Sequence, residues 1–372
     1  MDREPRDKPK KSVREPSERA THRSARLVDV ARVAGIVPMT ASRAINGTGY
    51  VSEEVRERVL KAAAKLGYRP NVLARSLKQQ RLNTVGIMLP EIANPFCAEL
   101  VAGMQEVLIP AGYFAFLSTA GSSVSLERDS LLSFLDHRLD GILVATRPTK
   151  VGNDAILEIL KHGVPVVTVG RVVEGASADS VTADHRAGAA EAIRHLIALG
   201  HRRIGFVGVA IQNAFNLARF RGYADALSDN GLQLRKEYVV GPDQGPAYST
   251  EPDGYAGMLQ LSRLKNPPTA ILARNDFTAF GALRAAHDLG LSVPNDIAVV
   301  GFDNIPLSTF TIPPLTTVAQ PILEQGRRAA EFLIDRIRGR YKGRSRQVCL
   351  DCHLIVRGST QPGSAAVPSI AT

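Results

Sequence analysis

From Leu82 onward the chain repeats one pattern, a short apolar run followed by an amphipathic stretch. Runs at residues 84–89, 113–118, 141–145, 164–169, 203–207, 270–273 and 298–300 read as strands. Helix-like stretches at 98–111, 127–138, 155–162, 187–199, 218–230 and 277–289 separate most of them. Strand–helix alternation at this spacing calls for parallel sheets with helices on both faces, an α/β architecture. Gly200 and Gly290 directly follow two of the helical stretches, where a left-handed C-cap falls. With 372 residues, 44 % of them hydrophobic, the chain can bury more than one such core.

The first 80 residues differ. They carry 18 Lys/Arg against 9 Asp/Glu, which accounts for most of the net charge of +10. A basic head on a nearly neutral body suggests a polyanion partner. The same charge also suits a solubilising tail, because residues 1–24 are polar and contain proline. A tail (1–25), a compact helical block (about 26–70) and a linker (71–81) precede the alternating region (82–362), and residues 363–372 form a Ser/Ala/Pro-rich end. The tail is expected to be disordered and the end frayed. Three cysteines imply no disulfide framework. No apolar leader precedes Leu27, and no run of about 18 apolar residues exists. A cytoplasmic protein without a membrane span is therefore expected.

Within the head, residues 27–34 read as a first short helix, Gly35 as a turn, and residues 38–45 as a second helix with Pro38 at its first position. Asn46-Gly47 ends it. Ser52 is placed to cap a third helix, with Glu53 and Glu54 near its positive end. Val55, Val59, Ala62, Ala63 and Leu66 share one face of that helix, and Gly67 ends it. Two short helices around a glycine turn, backed by a third, have helix-turn-helix geometry. Val30, Ala31, Ile36, Ala41 and Ile45 should then point inward. Pro38, Met39, Thr40, Ser42 and Arg43 should face outward, toward a DNA major groove. Arg43 can fork onto a guanine, whereas Pro38 and Met39 can offer only apolar contact, such as with a thymine methyl. Thr40, Ser42 and Asn46 suit phosphates. The same pattern also suits a plain three-helix bundle with a solvated Arg43.

Particular residues narrow the choice. Asp29-Val30-Ala31, Ala34-Gly35 and Thr40-Ala41-Ser42-Arg43-Ala44-Ile45-Asn46-Gly47 resemble the lactose-repressor (LacI/GalR) family. So do Val51-Ser52-Glu53-Glu54-Val55-Arg56, Leu66-Gly67-Tyr68-Arg69-Pro70-Asn71 and Ala74-Arg75-Ser76-Leu77. The resemblance runs from about residue 27 to 360, and the Pro38-Met39-Thr40 variant resembles the gluconate-repressor-like branch. Arg26 and Val37 depart from it, standing where the family often has Thr and Ser before the first two helices.

The resemblance implies a linker that forms a hinge helix on DNA, contacting it through Asn71, Ala74, Leu77 and Lys78. Leu77 stands at the position of a leucine wedged into a central base step. Residues 71–80 are too few for a stable isolated helix, which suits a switch and equally suits a passive tether. The resemblance also implies a core shaped like periplasmic sugar-binding proteins, with one lobe at about 82–184 and 313–342 and the other at about 185–312 and 343–362. Ligands in open α/β sheets sit beyond the carboxyl ends of strands. Phe96, Thr119, Arg171, Arg219, Asn275 and Asp303 follow predicted strands or, for Arg219, begin a helix, and they form the candidate effector set. Taken singly, each can instead be a helix cap or a surface ion pair. Phe96 suits stacking on a sugar-like ring, and Arg171 with Arg219 suits a carboxylate, so a sugar or sugar acid is expected. Gly170-Arg171 lacks the family's frequent acid before the Arg, and Asp184-His185 replaces its frequent Asp-Asn.

Cys349-Leu350-Asp351-Cys352-His353 spells a haem-attachment motif. On one strand over residues 347–356, however, Cys349 and Cys352 would face opposite ways. No metal or cofactor is expected. Nor is an enzyme, since Asn94-Pro95-Phe96 follows the first strand in place of a G-x-G-x-x-G fingerprint. A free solute receptor would leave the helical head unexplained. No leucine heptad follows Arg357, so the expected assembly is a homodimer on a roughly palindromic duplex.

Overall fold

The computed structural model describes residues 25–69, 82–121, 123–209, 217–242 and 250–361. The chain divides into one unit ending at Gln80 and another beginning at Arg81.

The first unit contains α1 (Leu27–Val33), α2 (Pro38–Asn46) and α3 (Glu53–Lys65). Gly35 turns the chain between α1 and α2 with φ at 67°, and Gly47 closes α2 with φ at 66°. Both angles lie where a Cβ is unfavourable. Val30, Ala31, Ala34, Ala41, Ala44 and Val59 form the small core, with Ile36, Ile45, Val55 and Leu66 packed against it. The inward face read from sequence is therefore the inward face of the fold. Capping differs from expectation. Ser52 holds the N-cap position of α3 but makes no side-chain cap bond. Arg26 has no acceptor oxygen to offer α1, and there the Asp29 carboxylate accepts from the Arg26 N–H at 3.0 Å. Ahead of α2, Val37 offers none either, and Pro38 at the first position leaves one fewer N–H to satisfy.

The second unit contains two six-stranded sheets. The first is built from β1 (Thr84–Leu89), β2 (Phe114–Thr119), β3 (Gly141–Val144), β4 (Val166–Val169), β5 (Asp179–Ala183) and β11 (Gln347–Leu350), all parallel, in the order β11-β5-β4-β3-β1-β2. On one face lie α4 (Pro95–Leu108) and α11 (Ile322–Ile337); on the other lie α5 (Val124–Asp136) and α6 (Lys150–Lys161). The second sheet holds β6 (Ile204–Val207), β7 (Val239–Val240), β8 (Ala270–Ala273), β9 (Ala298–Asp303), β10 (Thr316–Ala319) and β12 (His353–Ile355), in the order β12-β10-β9-β8-β6-β7. Only β12 runs antiparallel to its neighbour. Here α7 (His185–Ala198) and α8 (Ala218–Asp229) cover one face, and α9 (Glu251–Ser262) and α10 (Asp276–Asp288) the other. Strands buried on both faces read as unbroken apolar runs, which is why most were visible in sequence. The α4–α11 contact is made backbone to backbone. A Cβ on Gly103 would overlap the Leu323 carbonyl, and one on Gly326 the Leu100 carbonyl.

The chain passes between the sheets three times, from β5 to α7, from β10 to α11 and from β11 to β12. These crossings correct two expected lobe boundaries. Residues 313–319 do not go with the first lobe, because Thr316–Ala319 pairs with β9 in the second sheet. Residues 347–350 do not go with the second lobe, because Gln347–Leu350 pairs with β5 in the first. The single strand expected over 347–356 is accordingly two strands in different sheets, broken at Asp351-Cys352. Strand β9 also runs on to Asp303, because residues 301–303 find partners in β10. No helix among the described residues is long and apolar enough to cross a membrane.

Candidate functional site

In the helical head, α2 presents Pro38, Met39, Arg43 and Asn46 to solvent, with Thr40 and Ser42 half-buried. Met39 is 59 % exposed, too much for a side chain placed to fill a core. Asn46 donates to the Ser42 carbonyl at 2.8 Å and lies 3.2 Å from its hydroxyl, which fixes the last turn of the helix. Asn71, Ala74, Leu77 and Lys78 lie outside the described residues.

In the core, a cleft of about 340 Å³ opens at the carboxyl ends of strands from both sheets. Asn94, Phe96 and Cys97 enter from the start of α4, and Thr146, Arg147 and Gly170 from the loops after β3 and β4. Opposite are Arg219 at the start of α8, Arg274 and Asn275 after β8, and Asp303 at the end of β9, with His185 where the chain crosses between sheets. Four of the six residues chosen from sequence, Phe96, Arg219, Asn275 and Asp303, therefore meet in one cavity.

The other two do not. Thr119 is exposed on β2, an edge strand, and is not in the cleft lining. Arg171 is turned into the first lobe and is 3 % exposed. Its guanidinium lies 3.3 Å from Glu127 and donates to the Arg147 carbonyl at 2.8 Å. Glu127 also accepts from the hydroxyls of Thr146 and Thr149. Arg171 thus ties the loop after β4 to α5.

Asp303 is the hub of the cleft. Its Oδ1 accepts from Arg219 at 3.1 Å and from the Gln320 amide at 2.6 Å. Arg219 also donates to the Arg274 carbonyl at 2.5 Å and lies over the Phe302 ring at 3.9 Å, so its position is fixed from three sides. Backbone φ is 114° at Asp303 and 58° at Asn304, a left-handed stretch with no glycine. Such conformations cost about 1–3 kcal/mol each and persist where the surroundings over-determine them. Here Arg357 holds the Asn304 side chain at 2.7 Å, and Asp276 accepts from the Ile305 N–H at 2.9 Å. Burial raises the pKa of Asp303, while Arg219 and Gln320 act in the opposite direction.

His185 and Gln320 had no place in the expected set, and they join the cleft to the fold. The Gln320 oxygen accepts from His185 Nε2 at 2.7 Å, because the Gln320 amide nitrogen is committed to Asp303. Burial pushes His185 down to about 3, so it is neutral and carries its proton on Nε2. His185 begins the crossing into α7 and Gln320 lies on the crossing into α11. A hydrogen-bonded line therefore runs from Arg219 through Asp303 to two of the three interlobe crossings. Asn275 has a double role: it lines the cleft while its Oδ1 caps α10, accepting from the Thr278 N–H at 2.8 Å and the Thr278 hydroxyl at 2.7 Å.

Asp276, next along the chain, is fully buried, with its Oδ1 2.5 Å from the Thr317 hydroxyl. Burial, followed by the neighbouring Asp303, pushes its carboxyl up to about 8, with Arg219 opposing. The folded state thus holds a proton that the unfolded chain releases near pH 4. Stability from this group is full in acid and is lost as pH rises from about 4 through 8. An Asp276→Asn variant can keep both contacts, with its oxygen facing Ile305 and its amide facing Thr317. Denaturation midpoints should fall across that range in the parent relative to the variant, and parallel profiles would exclude a protonated Asp276.

A helix-turn-helix unit joined to a two-lobed α/β core with an interlobe cleft defines a ligand-responsive DNA-binding regulator. Residues 26–71 match the model for bacterial regulatory proteins of the lacI family, and residues 193–360 match a periplasmic binding protein-like domain. Catabolite control protein A of Priestia megaterium is 35 % identical over 82 % of this chain and 91 % of its own. The cellobiose complex of the transcriptional regulator CelR is 31 % identical, covers 90 % of this chain and 99 % of its own, and has a TM-score of 0.67. The lac repressor dimer bound to operator and the anti-inducer ONPF is 27 % identical over 90 % of this chain and 99 % of its own, with a TM-score of 0.79. The chain belongs to the LacI family of transcriptional regulators and is not an enzyme. These matches do not single out the gluconate-repressor-like branch.

Proposed function

We propose that the protein is a cytoplasmic repressor that binds a roughly palindromic operator as a homodimer and releases or grips it according to a sugar or sugar acid held in the interlobe cleft. The observation that carries this reading is the line Arg219–Asp303–Gln320–His185, which joins the cleft to two chain crossings. A ligand that engages Arg219 or Asp303 perturbs the segments about which the lobes can rotate, and a few kcal/mol of such coupling is enough to switch a hinge. Phe96 supplies a ring face, and three arginines line the cleft with one aspartate, which favours a carboxylate-bearing ligand. The relatives support the class: one was solved with cellobiose, another on operator DNA as a dimer.

For dimerisation, β2 offers an edge strand on which Phe114 and Phe116 are 74 % and 57 % exposed. A second copy meeting that edge about a two-fold axis would cover them. DNA contact is assigned to Pro38, Met39, Thr40, Ser42, Arg43 and Asn46 on α2, and to Asn71, Ala74, Leu77 and Lys78 in the linker.

The test is a thermal-shift screen of sugars and sugar acids, followed by DNA selection from random duplexes with and without the best binder. A ligand that stabilises the core and changes affinity for the selected duplex is expected. Tight binding of a neutral sugar with no response to any sugar acid would remove the acid from the proposal. In the same assay, Arg43→Ala should lose about 1–3 kcal/mol of discrimination at one base pair and keep its non-specific binding. A uniform loss on all sequences would place Arg43 on a phosphate.

A further inference from the structure

From the last turn of α11 to the start of β11 the chain places six cations at alternate positions, Arg336, Arg338, Arg340, Lys342, Arg344 and Arg346, with no acid among them. The rest of the core carries an excess of acidic residues, so this turn stands apart. Two of the six build it. Arg336 and Arg346 each reach the buried Asp179 at 2.7 Å, and Arg346 also reaches Asp335 at 3.0 Å. The Tyr341 ring takes both guanidiniums on it, at 4.6 and 4.2 Å from its centroid. Arg336 donates to the Gly343 and Arg344 carbonyls, and the Tyr341 hydroxyl donates to the Arg344 carbonyl as well. The turn is therefore held in one shape by buried charge and stacking.

That shape projects the remaining cations. Arg338 donates to the Ala111 carbonyl at 2.6 Å, whereas Arg340, Lys342 and Arg344 are exposed and form no ion pair among the described residues. The location of the turn gives it meaning. The strands of the first sheet are parallel, so Thr84, Gly141, Val166, Asp179 and Gln347 start along one edge, opposite the effector cleft. The turn touches that edge at both ends, at Ala111 just before β2 and at Asp179 at the start of β5. Strand β1, the first of the core, is entered from residues 82–83 along the same edge. The cations thus lie along the edge at which the first strand of the core begins.

We propose that this turn is a second, sequence-independent DNA contact, in which Arg340, Lys342 and Arg344 engage phosphates of the duplex flanking the site read by α2. The proposal rests on the DNA-binding reading above and adds a partner surface to the core. Guanidinium and ammonium groups on a fixed turn bind phosphate without reading bases, and each neutralised phosphate releases counterions.

The test compares full-length protein with the variant Arg340→Gln/Lys342→Gln/Arg344→Gln. A duplex selected by the parent is used trimmed to the site and with long flanks, over a range of salt. On the flanked duplex the variant should bind about tenfold more weakly at low salt, and its log Kd against log salt should be shallower by about 0.9 for each phosphate that is no longer neutralised. On the trimmed duplex the two proteins should match, and Arg340→Lys/Arg344→Lys should restore the parent slope. Equal affinity and slope on the flanked duplex would overturn the proposal, and equal losses on both duplexes would overturn the flanking placement. If selection yields no preferred sequence, α2 reading is what fails, and the slopes on long random duplex still decide the role of the turn.

Discussion

Replacing Arg171 with alanine should destabilise the core by about 3–5 kcal/mol and leave effector affinity intact. The Arg171 and Glu127 side chains are 1 % and 4 % exposed, so neither charge has water to fall back on. Their attraction and the hydroxyls of Thr146 and Thr149 offset the desolvation of Glu127. Gly152 packs against the same carboxylate, where a Cβ would collide with it, so the site is closed to a rescuing side chain from α6. Removing only the arginine strands a buried carboxylate, the costly case; exchanging both partners for apolar groups of similar volume is often neutral. An Arg171→Met/Glu127→Leu double variant should therefore recover most of the loss. Urea denaturation of the core reads the first effect, and ligand titration of the folded variant reads the second. An Arg171→Ala protein that is as stable as the parent but blind to effector would return Arg171 to the cleft.

The contrast between Arg171 and Arg219 shows where sequence reading stops. Both stand where a ligand residue of an open α/β sheet should stand, and both are arginines. What separates them is a partner far along the chain: Glu127 lies 44 residues before Arg171, and Asp303 lies 84 residues after Arg219. Thr119 fails for a related reason. It follows a strand, but strand order within the sheet leaves no mark in sequence, and β2 falls at the edge, away from the cleft. His185 and Gln320 were missed because they sit at crossings, and those crossings are flanked by β5 and β10. These strands, Asp-Ser-Val-Thr-Ala and Thr-Thr-Val-Ala, bury hydroxyls in place of an apolar run. Thr316, for example, is fully buried and spends its hydroxyl on Arg357 and Thr360. With β10 unseen, β9 ends early and the lobe boundary shifts. The helical head was legible almost residue by residue, since its elements are local and its turns carry the required glycines. Its caps were the exception, because Asp29 serves α1 from inside the helix.

Arg219→Ala should abolish the effector response while sparing DNA binding in the absence of effector. The guanidinium is 18 % exposed and the Asp303 carboxylate 9 %, so the pair is partly open to the cleft yet largely desolvated. Such a pair is both a binding surface and a structural element, and the two roles predict different patterns. Loss of the arginine leaves Asp303 with the Gln320 amide and the charge of Arg274, and burial then drives the carboxyl further toward its neutral form. A carboxylate-bearing ligand loses a charged hydrogen-bond donor, for which a 100-fold or greater weakening, about 2.7 kcal/mol or more, is expected. An Arg219→Lys variant keeps the charge but not the fork, so it should recover stability more fully than affinity. The decisive comparison is with Gln320→Ala, which leaves Arg219 on Asp303 but cuts the line to His185 and the crossings. That variant should bind effector within a few-fold of the parent and yet transmit less of it, the effector-induced change in DNA affinity falling by roughly 1–3 kcal/mol. If Gln320→Ala instead loses affinity and response in equal measure, Gln320 is a ligand contact, and the connection from cleft to crossings must run by another path.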